Sequence, residues 1–310
     1  MPEIVITEFM DEGAVARLQD KYDCVYDPKL VDDPEALKAL LGDARALVVR
    51  NRTQVRGAVL DSAANLECVG RLGVGLDNID VAACEARGLA VYPATGANDL
   101  SVAEYVITCA QSLLRGAYTG TASVIAGEWP RQSMMGRELS GKTLGLIGYG
   151  AIAREAATRA LAMGMEIVAY DPYLADGDDA WQATAKVSLD ELAQRSDVIS
   201  LHVPLTDSTR HLVNAAFLDA MKSDGIVVNA ARGGVVDDQA LANALANDTI
   251  GGAALDVFEV EPLTAQAGAK FAGLTNLIAT PHIAGVTSES NIRVSHLIAD
   301  KVLEKLGATS

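Results

Sequence analysis

Residues 144–153 read LGLIGYGAIA, a short apolar run that leads into two glycines and then into an alanine-rich segment ending before Gly164. The apolar run is typical of a buried strand, and the alanine-rich segment is typical of a helix. Gly148 permits a tight turn between them, and Gly150 allows a ligand to approach the backbone closely. The order of strand, glycine turn and helix predicts one unit of a parallel α/β sheet.

The same alternation continues on both sides of this motif. Short runs rich in Val, Ile and Leu alternate with helix-length segments, which predicts parallel sheets covered by helices. Ten strands are too many for one simple unit, so we expect an α/β fold with two Rossmann-like or flavodoxin-like domains. The predicted strands are 4–7, 46–49, 68–72, 89–92, 144–147, 167–170, 198–201, 226–229, 253–257 and 277–280.

The glycine motif also predicts a dinucleotide site. The helix after Gly150 offers free backbone amides and its positive dipole end to a pyrophosphate, with Ala153 in place of a third glycine. The next predicted strand ends at Asp171, about 20 residues downstream, where an acid binds the adenosine ribose. A carboxylate there repels a 2'-phosphate, so we expect NAD rather than NADP. The alternative is a glycine turn that serves packing only.

Two predicted helices bracket the cofactor domain. Ser101 and Glu104 form a possible capping box for a helix that continues through Leu114. A second helix is expected from Ser288 to Leu306, with apolar positions along one face. We therefore predict a substrate-binding domain at 1–98 plus 286–310, and an NAD-binding domain at 99–285 inserted into it.

Composition disfavours several classes of protein. The 310 residues carry a formal net charge of −16, which makes nucleic acid and anionic membranes poor partners. No run approaches the ~20 apolar residues of a membrane-spanning helix, and the first ten residues lack a signal-peptide profile, so we expect a cytoplasmic protein. The four cysteines lack C-x-x-C spacing, which argues against disulfides and against a metal site.

A dinucleotide site raises the question of hydride transfer. If the hydride goes to the carbonyl of an acid, the site requires a proton donor at the carbonyl oxygen and a cation for the carboxylate. Among the four histidines, His282 lies where a predicted strand ends, at the edge where such sheets bind ligands. His202 also follows a strand, but a structural hydrogen bond explains it equally well. His211 and His296 fit surface or packing roles.

The neighbouring strand ends supply the other groups. Arg232 follows one predicted strand, and Glu259 and Glu261 follow the next. A glutamate bonded to His282 would stabilise the imidazolium and raise its pKa, so that the ring could exchange a proton near neutral pH. Spacing alone leaves this triad and ordinary surface charge equally open.

Taken together, these stretches resemble the D-isomer-specific 2-hydroxyacid dehydrogenase family, and especially its phosphoglycerate dehydrogenase-like branch. The likeness covers nearly the whole chain. It includes residues 70–75, 77–80, 127–139, the glycine motif, 170–172, 202–205, 229–237, 256–262 and 281–282.

The resemblance implies that His282 is the general acid/base, that Glu261 is its carboxylate partner and that Arg232 binds the substrate carboxylate and polarises the carbonyl. It implies that the substrate also meets the backbone of Val74 and Gly75, together with Asn98. A homodimer is also implied. The cofactor contacts implied are Gly148, Gly150, Ala151, Ile152, Asp171, Val203, Ala230, Ala231, Asp256 and Gly285. Because the sequence ends at Ser310, without the regulatory extension of longer relatives, we expect no end-product allostery.

Arg50, Arg52 and Arg71 are gathered at two predicted strand ends of an acidic chain, and Arg131 follows Trp129. Each could simply pair with a surface acid. Resemblance to phosphoglycerate enzymes instead implies that they bind a second anionic group, which favours 3-phosphoglycerate or (S)-3-sulfolactate as substrate. A glyoxylate/hydroxypyruvate or D-lactate-type reductase stays open, as does an NAD-binding sensor or corepressor without turnover.

Overall fold

The computed structural model describes residues 2–116 and 119–307. The chain forms two compact units, one made of Met1–Asn98 and Val286–Ser310 and the other of Asp99–Gly285. Residues 1 and 308–310 of the predicted substrate-binding domain lie outside the described residues. Among the described helices, none is long and apolar enough to cross a membrane.

The first unit contains a five-stranded sheet in the order β2-β1-β3-β4-β5, with all neighbours parallel. This is the flavodoxin-like order. Strands β1 and β3 are apolar along their whole length because helices cover both faces of the sheet. The strands are β1 (Ile4–Ile6), β2 (Cys24–Tyr26), β3 (Ala46–Val49), β4 (Cys68–Arg71) and β5 (Ala90–Pro93). The α-helices are α1 (Glu12–Gln19), α2 (Pro34–Leu41), α3 (Ala58–Asp61), α4 (Val81–Ala86) and α12 (Ser288–Leu306).

The second unit contains a seven-stranded parallel sheet in the order β12-β11-β10-β9-β6-β7-β8. This order turns back between β6 and β9, which is the switch point of a Rossmann sheet. The strands are β6 (Thr143–Ile147), β7 (Glu166–Tyr170), β8 (Ala185–Lys186), β9 (Val198–Leu201), β10 (Ile226–Asn229), β11 (Gly252–Leu255) and β12 (Leu277–Ala279). The α-helices are α5 (Asp99–Arg115), α6 (Thr121–Ile125), α7 (Ala151–Ala162), α8 (Leu189–Arg195), α9 (Ala215–Ala220), α10 (Asp238–Ala246) and α11 (Ala265–Gly268).

The predicted α/β class with parallel sheets is confirmed, and each predicted strand is present within two residues at either end. Two edge strands, β2 and β8, were missed because they are two or three residues long and half-buried or exposed, which leaves no apolar signature. The predicted capping box is wrong. Helix α5 begins at Asp99, so Ser101 is buried inside its first turn, and Glu104 pairs instead with Arg159 at 3.5 Å.

Candidate active site

One edge of the second sheet collects most of the predicted site residues. Because the strands are parallel, their carboxyl ends meet along this edge, where doubly wound sheets bind ligands. The residues that directly follow a strand end are Gly148 after β6, Asp171 after β7, Ala230 and Ala231 after β10, and Asp256 after β11.

The glycine turn between β6 and α7 leaves space that fits a pyrophosphate. Gly148 has a φ of 86°, and a Cβ there would lie 2.7 Å from the His202 carbonyl oxygen and 2.8 Å from Val203 Cγ1. A Cβ on Gly150 would meet no atom within 4 Å. Gly150 is the N-cap of α7, so the first amides of the helix, at Ala151 and Ile152, adjoin this space. A helix N-terminus in this position fits the phosphates of a dinucleotide.

Backbone amides hold the Asp171 carboxylate in place. Its Oδ2 accepts a hydrogen bond from the Tyr149 N–H at 2.9 Å, and its Oδ1 accepts from Tyr173 at 2.9 Å and Leu174 at 3.2 Å. A carboxylate has about four acceptor sites, so it retains capacity for a ribose hydroxyl. Residues 172–185 contain no Arg, the residue type that accommodates a 2'-phosphate in NADP enzymes. The nearby Lys186 bonds to the Leu174 carbonyl and to Asp176.

His282 and Glu261 form a direct hydrogen bond. The His282 Nδ1 lies 2.8 Å from Glu261 Oε2, and the other carboxylate oxygen accepts from the Phe258 N–H at 3.0 Å. Burial raises the pKa of Glu261, but the hydrogen bonds from His282 and Phe258, together with the charges of His282 and Arg232, outweigh it and hold the pKa below its usual value. The carboxylate is therefore ionised near neutral pH, and the imidazole Nε2 makes no hydrogen bond with a described residue.

The turn that carries His282 is tied to Asp256. The His282 φ of 57° is uncommon for a residue with a side chain, and its N–H donates to the Asp256 carbonyl at 2.8 Å. The buried Asp256 carboxylate accepts hydrogen bonds from the Thr280 hydroxyl at 2.6 Å, the Ile283 N–H at 2.8 Å and the Ala284 N–H at 2.7 Å. The sequence analysis placed Asp256 at the nicotinamide pocket and missed this role.

Arg232 lies in a turn that packs against the segment bearing Glu261. The buried Asn229 side chain accepts from the Ala231 N–H at 3.1 Å and donates to the Arg232 carbonyl at 3.0 Å. A Cβ on Gly233 would lie only 1.7 Å from the Phe258 carbonyl oxygen. Glycine at this position thus lets the Arg232 turn and the Glu261 segment lie in backbone contact.

Glu259, His211 and His202 have side-chain partners outside the His282–Glu261 pair. Glu259 Oε1 lies 2.9 Å from His211 Nε2 and accepts the Asp238 N–H at 3.2 Å. His202 Nε2 lies 3.0 Å from Ser200 Oγ, and burial lowers the pKa of His202 to about 4. His202 is therefore neutral near pH 7 and suited to a structural hydrogen bond.

The arginines predicted for the first unit differ in their surroundings. Arg52 is exposed and hydrogen-bonded to Asp32, which matches ordinary surface pairing. Arg50 donates to Asn291 Oδ1 at 2.7 Å. Arg71 donates to the Leu72 carbonyl at 3.1 Å.

The loop after β4 is shaped around Arg71. A Cβ on Gly73 would lie 1.5 Å from the Arg71 Nη1, so a larger residue at this position would displace the Arg71 guanidinium. Val74 and Gly75 follow in the same loop. Asn98, at the end of this part of the first unit, has a buried Oδ1 without a hydrogen-bond partner among the described residues.

Sequence reasoning missed Glu8. Its buried carboxylate accepts four backbone N–H groups, from Arg50 at 2.9 Å, Asn51 at 3.3 Å, Arg52 at 3.1 Å and Thr53 at 3.0 Å. Its position at the end of β1, beside the parallel strand β3, was the available signal. Because these amides are taken, an added anion at this loop can meet only its side chains.

Two further predicted residues lie elsewhere in the second unit. The side chain of Arg131 is exposed and makes no hydrogen bond with a described residue, while its N–H bonds to the Trp129 carbonyl at 2.9 Å. Gly285 is the last residue of this unit. The described residues contain no group of His, Cys, Asp and Glu that could hold a metal ion.

A family model described as D-isomer specific 2-hydroxyacid dehydrogenase, NAD binding domain, matches residues 107–284. The chain belongs to this family. It is therefore an NAD-dependent oxidoreductase of 2-hydroxy acids, and the family, enzyme class and cofactor predicted from the sequence are confirmed.

Relatives of this dehydrogenase are named for different substrates. It is 51% identical to an (S)-sulfolactate dehydrogenase from Chromohalobacter salexigens, over 99% of both chains. It is 39% identical to a hydroxypyruvate reductase from Thermotoga maritima, over 97% of both chains. The crystal structure of a D-lactate dehydrogenase from Aquifex aeolicus, complexed with NAD and lactic acid, matches with a TM-score of 0.86 and 28% identity, covering 98% of this chain and 96% of that one.

The geometry at Asp171 predicts the cofactor preference. We expect Asp171→Asn to lower the ratio of kcat/KM with NAD to kcat/KM with NADP by about 10-fold or more, because a charge-assisted hydrogen bond contributes about 1.5–3 kcal/mol. Both values are measured from the absorbance of the reduced nicotinamide. Asp190→Asn, which removes an exposed acid at the start of α8, is the control for net charge. An unchanged ratio in Asp171→Asn would contradict the assignment.

Proposed function

We propose that this dehydrogenase acts on a small 2-hydroxy acid with a second anionic group, and that (S)-sulfolactate is its leading candidate substrate. The catalytic part rests on one observation, the 2.8 Å hydrogen bond between His282 and Glu261 at the sheet edge that also carries Arg232. The 51% identity to an (S)-sulfolactate dehydrogenase supports the substrate part.

His282 is assigned as the acid/base through its second nitrogen. With Nδ1 on Glu261, Nε2 is available to accept the substrate hydroxyl proton as the C2 hydrogen leaves as hydride, and to return that proton in the reverse reaction. Glu261 fixes the ring orientation and stabilises the imidazolium formed during oxidation. Substrate oxidation therefore leaves one proton on His282.

Arg232 is assigned to the substrate's carboxylate and 2-oxygen. Its planar guanidinium can donate to two oxygens at once, and the bonds of Asn229 and the close approach of Gly233 to Phe258 hold its turn. Charge on Arg232 would polarise the carbonyl in reduction.

When bound, NAD supplies the hydride acceptor. We assign its pyrophosphate to the turn at Gly148 and Gly150 with the amides of Ala151 and Ile152, and its ribose to Asp171. The nicotinamide pocket is assigned to Val203, Ala230, Ala231, Asp256 and Gly285.

The first unit supplies the candidates for the second anionic group. We assign that group to Arg50 and Arg71 rather than to Arg52, because Arg52 is exposed and paired with Asp32. Arg binds phosphate and sulfonate through the same donors. Val74, Gly75 and Asn98 are assigned to the carboxylate end, and Arg131 stays an additional candidate.

A hydroxypyruvate reductase is the second candidate function, since one relative at 39% identity carries that name. The alternative of an NAD-binding sensor without turnover is not supported, because the chain belongs to a family of dehydrogenases.

The His282–Glu261 pair predicts a pH effect. Reduction consumes a proton that His282 supplies, so kcat/KM for reduction should fall on the basic side of its pH profile. Glu261→Gln removes the anion that stabilises the imidazolium, and we expect this basic limb of kcat/KM to move to lower pH. His282→Ala should lower kcat by ~100-fold or more with NAD binding retained. Glu259→Gln is the control, because Glu259 bonds to His211; a shift equal to that of Glu261→Gln would contradict the pairing.

The substrate assignment predicts a selective loss. Oxidation of (S)- and (R)-sulfolactate, D-3-phosphoglycerate and D-lactate is followed with NAD by absorbance. We expect (S)-sulfolactate to react and its enantiomer not to, because the geometry called R in lactate and phosphoglycerate is called S in sulfolactate. Arg71→Ala and Arg50→Ala should lower kcat/KM for the best dianionic substrate about 10-fold or more, and Arg52→Ala less. An equal loss of kcat/KM for D-lactate would contradict the assignment. So would a wild-type enzyme that prefers substrates without a second charged group.

We also propose a homodimer. The segment 119–137 exposes Ile125 (82%), Trp129 (76%) and Met135 (80%), and large exposed apolar side chains mark interaction surfaces. Its occupant is proposed to be a second copy of this chain. Light scattering after gel filtration should give twice the mass of one chain. In the double variant Ile125→Asp/Trp129→Ser, the measured mass should fall toward that of a single chain. Tyr173→Ser, an exposed aromatic outside this segment, is the control; a monomeric wild type would overturn the proposal.

A cytoplasmic location is proposed on chemical grounds. The four cysteines are free, and three of them are buried, as is common for proteins of reducing compartments. The net charge of −16 supports the expectation that neither nucleic acid nor an anionic membrane is a partner.

A further inference from the structure

A chain of hydrogen bonds leads from helix α5 to the turn that carries His282. The Tyr105 hydroxyl lies 2.6 Å from Thr280 Oγ1. Thr280 Oγ1 in turn donates to Asp256 Oδ1 at 2.6 Å. Because a hydroxyl has only one hydrogen to donate, Tyr105 is the donor to Thr280.

Asp256 is hydrogen-bonded to residues on both sides of His282 in the sequence. Its carboxylate accepts from the N–H groups of Ile283 and Ala284 and from the Thr280 hydroxyl. The three ties bracket His282 in sequence. Asp256 is 1% exposed, so these donors take the place of water around its charge.

Tyr105 is suited to act as a fixed anchor. It belongs to the 17-residue helix α5 and packs half-buried against the core of the second unit. Burial raises the pKa of its hydroxyl, so the group stays protonated over the working pH range. A Phe at this position would fill the same space but would leave Thr280 without this donor.

The His282 turn needs such support. With a φ of 57°, His282 occupies the left-handed region, which is unfavourable for a residue with a side chain. The surrounding contacts must hold this conformation, and the 2.8 Å bond to Glu261 depends on it.

We infer that Tyr105 is a positioning residue, which acts through Thr280 and Asp256 to hold the His282 imidazole against Glu261. The inference rests on the proposed role of His282 in proton transfer. It adds to that role a residue on a separate helix.

The test is the Tyr105→Phe variant, assayed with saturating NAD. Loss of one hydrogen bond contributing about 0.5–1.5 kcal/mol should lower kcat about 2–10-fold. The KM of the hydroxy acid and the affinity for NAD should stay within about twofold, since neither Tyr105 nor Thr280 is assigned to either ligand. The basic limb of the pH profile for reduction should move to lower pH, because His282 is held less well on Glu261.

An NMR titration of the imidazoles gives a readout independent of substrate. The chain has four histidines, and His282→Ala identifies the signal of His282. In Tyr105→Phe that signal should titrate at lower pH than in wild type, while the other three histidines should not move.

Matched variants separate positioning from a general loss of stability. Tyr22→Phe removes a hydroxyl that donates to the Leu306 carbonyl at 2.8 Å in the first unit, and it should leave kcat and the His282 titration unchanged. Thr280→Val should reproduce the effect of Tyr105→Phe or exceed it, whereas Thr280→Ser should retain activity. Adding Tyr105→Phe to Thr280→Val should have no further effect, since the two residues act through the same series of hydrogen bonds.

The outcomes distinguish the inference from the proposed function. Wild-type turnover in His282→Ala would overturn the role of His282 itself. An inactive His282→Ala together with a Tyr105→Phe variant that behaves like Tyr22→Phe would overturn only the inference. If Tyr105→Phe does not fold, Thr280→Val still interrupts the series of hydrogen bonds, at a position closer to His282. An unchanged kcat and an unchanged His282 titration in Thr280→Val would overturn the inference as well.

Discussion

The hydrogen bonds of the buried Asp256 carboxylate are the constraint on which the turn that carries His282 depends. An ionised carboxylate without water is costly to bury unless donors surround it, and here they come from Thr280, Ile283 and Ala284. The requirement works in both directions. Asp256 needs these donors for its charge, and the turn needs Asp256 to hold His282 at a positive φ.

An acidic side chain that accepts hydrogen bonds from backbone amides is also found at other strand ends. Glu8 after β1 accepts four backbone amides, and Asp171 after β7 accepts three. In each case an acid replaces the hydrogen bonds that an irregular loop loses where the sheet ends. Part of the acidic excess of this chain therefore shapes its loops.

Sequence reasoning identified the strand ends but not the bonds between them. Apolar runs predicted the parallel sheets, and parallel strands necessarily bring His282, Glu261 and Arg232 to one edge. Spacing alone could not assign a partner to each acid, because Glu259 and Glu261 are two residues apart and bond to different histidines. Only the family resemblance implied that Glu261 is the partner of His282. Tyr105 gave no signal at all, since a tyrosine on an amphipathic helix looks like any core residue.

In the proposed assignment, one set of loops holds the reacting groups and another meets the rest of the substrate, so that one chemistry can accommodate several substrates. The His282–Glu261 pair needs only the C2 hydroxyl and its proton, which every 2-hydroxy acid provides. At the loop of Arg50 to Thr53, by contrast, Glu8 takes the backbone amides, so any discrimination by charge there falls to side chains. Side chains change by single substitutions without disturbing the loop that Glu8 holds. Relatives of full length at 51% and 39% identity can therefore carry the names of a sulfolactate dehydrogenase and a hydroxypyruvate reductase on the same fold.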